Sequence, residues 1–142
     1  MRRFVGKAGF AVLVSALAAC GDTTAPPLQS VAEARAIWEA HHLTTYSYFG
    51  TQACFCTVPS GLVRVDVVDG KVAAVTDAVT NAPVPSASWL TIDELLDLAE
   101  TLQPQPVAFD RYMGYPKRVE RCCVADDSGS VYTVTSLYSV PL

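Results

Sequence analysis

Beyond its first nineteen residues the 142-residue chain has no apolar run of the length, about 20 residues, that spans a bilayer as a helix. No transmembrane helix is therefore expected. Histidine is scarce, with only His41 and His42 present, and no G-x-S-x-G, H-E-x-x-H, glycine-rich phosphate loop or EF-hand pattern occurs. The chain thus lacks the usual parts of a hydrolase, metalloprotease, nucleotide-binding or calcium-binding protein, and it reads as a non-enzyme without a cofactor. Basic residues are few as well. With residues 1–19 set aside, seven Lys and Arg face fourteen Asp and Glu, a net charge of −7, and only Lys117, Arg118 and Arg121 lie close together. Nucleic-acid binding needs a basic face to neutralise phosphates, so that class is excluded.

The amino-terminus carries basic Arg2, Arg3 and Lys7, then apolar Ala8 to Ala19, then Cys20. That order is an export signal. Leu17-Ala18-Ala19-Cys20 resembles the bacterial lipobox, in which the cysteine thiol is acylated and becomes the first mature residue. Several acyl chains on Cys20 would hold the protein firmly at a membrane face, where one alone anchors marginally. Gly21 in place of Asp, by resemblance to Gram-negative sorting rules, permits transfer to the outer membrane; in another host the anchor lies on the outer face of the cell membrane. Residues 21–29, with Pro26 and Pro27, form a stiffened polar tether. The organisation expected is a signal peptide over 1–19, lipidated Cys20 and tether over 20–29, and one α+β domain over 30–142.

Two capped helices punctuate that domain. Ser30 with Glu33 and Thr91 with Glu94 form S/T-x-x-E capping boxes, each followed by residues at helical spacing: Val31, Ala34, Trp38 and His41 in a first helix expected to run to about His42, and Ile92, Leu95, Leu96, Ala99 and Leu102 in the second. Pro104 stops the second helix. Elsewhere the period is two: Tyr46, Tyr48 and Gly50; Val63, Val65 and Val67; then Lys71 to Thr76 after the hairpin signal Asp69-Gly70. Val107 to Tyr112, Lys117 to Val124 and Val131 to Tyr138 supply three more expected strands. The fold class expected is α+β, built as two helix-plus-three-strand half-repeats, with an antiparallel sheet covered on one face by two helices.

Four cysteines remain after Cys20: Cys54 and Cys56 as C-x-C, and the adjacent Cys122 and Cys123. An even count outside the cytoplasm points to disulfides, with three pairings open. A bridge between the two pairs would close a loop of almost seventy residues and stabilise by ~3 to 4 kcal/mol through the unfolded state. The rival readings are a Cu(I) or Zn(II) site joining these thiolates to His41 or His42, and a redox-active C-x-C. Both histidines otherwise suit the carboxyl end of the first helix, where imidazolium meets the helix dipole favourably. Asp126-Asp127 beside Ser128-Gly129 reads as a polar turn. Among the six tyrosines, Tyr46, Tyr48, Tyr112 and Tyr115 form a candidate binding face; the same residues also suit half-buried strands.

Cys54-Phe55-Cys56, Val65-Asp66-Val67 leading into Asp69-Gly70-Lys71-Val72, Thr91-Ile92-Asp93-Glu94-Leu95, Phe109-Asp110, Gly114-Tyr115-Pro116 and Ala125-Asp126-Asp127, together with the lipobox, Trp38 and Tyr46-Ser47-Tyr48, occur in one order. This set resembles the bacterial lipoprotein family of unknown function numbered 6174. Cys122-Cys123 departs from that pattern. The resemblance implies a lipid-anchored envelope protein and carries no catalytic residue. The element order also looks like that of envelope domains such as the beta-lactamase inhibitor proteins and outer-membrane assembly lipoproteins. By that analogy the chain is a protein-binding or inhibitory module that presents a concave sheet to a partner. The alternative is a thiol or metal-handling envelope protein.

Overall fold

A computed structural model describes residues 30–54, 61–101, 107–121 and 129–139. Helix α1, Val31–Ala40, starts where Ser30 is extended and its Oγ accepts the Glu33 N–H at 3.1 Å. Helix α2, Ile92–Thr101, is fixed by the reciprocal box: the Glu94 N–H donates to Thr91 Oγ1 at 3.2 Å, and the Thr91 N–H donates to Glu94 Oε2 at 2.7 Å. Each helix buries one stripe, Val31, Ala34 and Trp38 in α1 and Ile92, Leu95, Leu96 and Ala99 in α2. Among the described residues no helix is long and apolar enough to cross a membrane.

The strands are β1 (Tyr46–Cys54), β2 (Val63–Val68), β3 (Lys71–Asp77), β4 (Ala108–Phe109), β5 (Pro116–Arg121) and β6 (Ser130–Tyr138). They form one antiparallel sheet in the order β3-β2-β1-β6-β5-β4. Asp69 and Gly70, both at positive φ, turn β2 into β3. Valines 63, 65 and 67 of β2 point to the same face as Tyr46 and Tyr48 and are buried with them under the helices. Each such valine or leucine removed from water contributes about 1.5–3 kcal/mol before chain entropy is set against it.

This architecture corrects the expected pair of helix-plus-three-strand half-repeats. The described chain is mostly sheet, 43% strand against 22% helix. The expected halves are also unequal: β1 opens the first with nine residues, whereas β4 opens the second with two. The cause is local. Asp110 Oδ1 accepts the N–H groups of Tyr112 and Met113, each at 3.0 Å, and folds the chain into a turn directly after Phe109. The seam between β1 and β6 joins everything into a single sheet with a continuous core.

Candidate functional site

The expected tyrosine face does not exist as a surface. Tyr46, Tyr48 and Tyr115 are buried, and only Tyr112 is exposed. The Tyr46 hydroxyl accepts the Ile92 N–H at 2.8 Å and its ring meets Trp38 edge-on at 5.2 Å, while Tyr48 donates to Leu90 O at 2.5 Å. Burial pushes the phenols of Tyr46, Tyr48, Tyr115 and Tyr132 up from their ordinary value. Tyr46 and Tyr48 therefore fasten the start of α2 to the centre of the sheet.

Among the described residues no helix lies on the opposite face of the sheet. Residues alternating with the buried set point there: Ser47, Phe49 and Thr51 of β1, Arg64, Asp66 and Val68 of β2, Arg118 and Glu120 of β5, and Val131, Thr133 and Tyr138 of β6. Phe49 and Tyr138 stack edge-to-face at 5.9 Å. A bulge produces this pair. Phe49 stands opposite Ser136 but Gly50 opposite Val134, so Thr135 is the extra residue of β6. That insertion keeps Val134 and Leu137 both turned to the core, and sends Tyr138 outward. Gly50 is needed beside it, because a Cβ there would lie 2.6 Å from Thr133 O.

Around the aromatic pair the face is polar and charge-balanced. Ser47 donates to Asp66 Oδ1 at 2.6 Å, and Arg64 Nε lies 3.2 Å from the same oxygen without hydrogen-bond geometry. Arg118 pairs with Glu120 at 3.1 Å. Tyr138 and Val68 are each 43% exposed.

A second exposed feature is the turn between β4 and β5. Tyr112 is 70% exposed, and the Arg111 guanidinium lies 4.8 Å from its ring centroid. Gly114, at φ +78°, seats the turn against the backbone of Ala34 and Trp38, a position no side chain could occupy. His41 caps α1, and its Nε2 lies 3.0 Å from Tyr112 O. The sequence marks a break at Gly114-Tyr115-Pro116 but carries the preceding strand on to Tyr112, whereas the turn begins at Asp110. The earlier signal is Asp110, whose side chain can fold the chain back on its own backbone.

Cys20, Cys56, Cys122, Cys123 and the Asp126-Asp127 turn lie outside the described residues, as does the side chain of Cys54. Cys54 ends β1 opposite Ser130, and Arg121, which directly precedes Cys122-Cys123, ends β5 opposite the same residue. β1 and β5 thus end at the same end of the sheet, on either side of β6. His41 and His42 precede Tyr46, and β1 then runs about 26 Å, at roughly 3.3 Å per residue, to its last residue, Cys54. Among the described residues no group of three metal-ligating side chains occurs.

The chain belongs to a family of unknown function (DUF6174), whose profile matches residues 30–137. No curated protein and no solved structure matches it.

Proposed function

We propose that this member of the family is an exported, lipid-anchored, non-catalytic module that binds another protein of the cell envelope through the helix-free face of its sheet. The observation that carries the reading is the Phe49–Tyr138 pair, held outward by a bulge and flanked on β2 by Arg64 and Asp66, with the Arg118–Glu120 pair further along the same face. Aromatic side chains supply large contact area at low entropic cost, and paired charges at a rim fix orientation. The lipobox ending at Cys20 and the basic and apolar segments before it support export and anchoring. Structural disulfides among Cys54, Cys56, Cys122 and Cys123 complete the domain, a reading supported by β1 and β5 ending at the same end of the sheet.

Photo-crosslinking in intact cells tests the contact face. A photoreactive residue at Thr51 should give one dominant protein adduct. The same residue at Val79, 85% exposed beyond β3, should not. Equal adducts from both positions, or none from Thr51, would overturn the reading.

A further inference from the structure

Tyr112 is 70% exposed, and among the described residues the hydrogen bonds at Tyr112 use its backbone. The turn is held by the Asp110 carboxylate, by the Gly114 N–H donating to Asp110 O at 2.8 Å, by the Asp110 N–H donating to Tyr115 O at 2.8 Å, and by His41 at the Tyr112 carbonyl. All of these contacts use the backbone of Tyr112 or its neighbours. The ring is thus presented to solvent by a rigid support, with a guanidinium beside it. Charge is uneven around it. Of the seven basic residues that follow the signal segment, Arg111, Lys117, Arg118 and Arg121 lie in this turn and the strand after it, where Lys117 faces Asp110 at 3.8 Å, Arg118 pairs with Glu120, and Arg121 ends the strand. The two helices carry Glu33, Glu39, Asp93, Glu94, Asp97 and Glu100 against Arg35 alone.

We propose that the Arg111–Tyr112 turn rests on the phospholipid headgroups of the membrane that holds Cys20, an inference that builds on the lipid-anchor reading above. Tyrosine suits the membrane–water interface, where its ring is half-buried and its hydroxyl stays wet. A neighbouring arginine donates to lipid phosphate while its stem lies along the apolar boundary. Reach permits the contact. The nine tether residues span up to about 30 Å at roughly 3.3 Å each, and α1 adds about 15 Å between the tether and His41. Because β4 is an edge strand, docking by this edge stands the sheet upright and leaves the helix-free face open to a protein partner.

The test uses the full lipidated chain in vesicles of phosphatidylethanolamine and phosphatidylglycerol, with and without nitroxide-labelled headgroups. In a Tyr112→Trp variant the added fluorescence should be quenched by the nitroxide. A Val79→Trp variant should not be quenched, and the wild-type signal, from buried Trp38 and Trp89, should stay unchanged. Arg111→Gln in the Tyr112→Trp background should weaken the quenching severalfold. Absence of quenching, or equal quenching at positions 112 and 79, overturns the proposal. Failure of the anchor itself is read separately, by flotation of the wild-type chain with vesicles. The same pair of variants, starting at Gly21 and held by an amino-terminal His-tag on nickel-chelating lipid, repeats the comparison without acylation.

Discussion

The Tyr46 hydroxyl accepts the backbone N–H of Ile92, 46 residues further along the chain, and so binds the first turn of α2 to the middle of the sheet. Removing that acceptor strands a buried donor. Tyr46→Phe should therefore lower stability by about 1–3 kcal/mol in urea denaturation, with little change in the denaturant slope. An unchanged midpoint would show that water reaches Ile92 N and that the contact is dispensable.

The same burial sets the alkaline limit. Unfolded tyrosines ionise near pH 10, whereas the folded phenols of Tyr46 and Tyr48 are pushed well above that value. The folded state holds the protons more tightly. Stability is thus fully present below pH 10 and falls as pH rises above it. Tyr46→Phe should make that fall shallower, measured as midpoint against pH.

At the acid end Asp77 behaves in the opposite sense. The Thr80 N–H, the Val79 N–H and the Thr80 hydroxyl all donate to its carboxylate and lower its pKa from 3.8. Its contribution is present above the unfolded value and is lost as pH falls through the lower folded one. In an amide titration the Thr80 N–H signal should move with the Asp77 carboxylate, and Asp77→Asn should abolish that movement.

Gly114→Ala tests the seat of the exposed turn. The position has φ +78° and faces the α1 backbone directly, so the substitution should cost more than about 1 kcal/mol. At Gly70, φ +72° but with open space around the Cβ, the same change should cost less, since only backbone strain is added. Thermal midpoints of the two variants decide the order.

The cysteines are read by mass. The exported domain with Cys20→Ser should take up no alkylating label before reduction and four labels after it, with no metal co-purifying. Immediate labelling would replace structural disulfides with thiol chemistry at the two cysteine pairs.

Much of the chain's local order is legible in its residues, because the signals are short-range. Ser30-x-x-Glu33 and Thr91-x-x-Glu94 specify their own helix starts, and Asp69-Gly70 specifies its own turn. The candidate site is not legible in this way. Alternation shows that Tyr46 and Tyr48 share a face, but which face the helices cover is decided by long-range bonds to Leu90 and Ile92. One inserted residue, Thr135, breaks the period of β6 and turns Tyr138 toward Phe49, a pairing that no periodic pattern contains. The expected strand from Val107 to Tyr112 is cut to two residues by the Asp110 side chain.

The most direct test of the binding face combines crosslinking with truncation of its aromatic pair. The adduct formed from a photoreactive residue at Thr51 is to be quantified in a Phe49→Ala/Tyr138→Ala background, alongside the thermal midpoint of the purified protein. Hot-spot aromatics cost about 1.4 kcal/mol or more when truncated, so the adduct should fall at least about tenfold while the domain stays folded. An undiminished adduct from a folded double variant would contradict binding through this face.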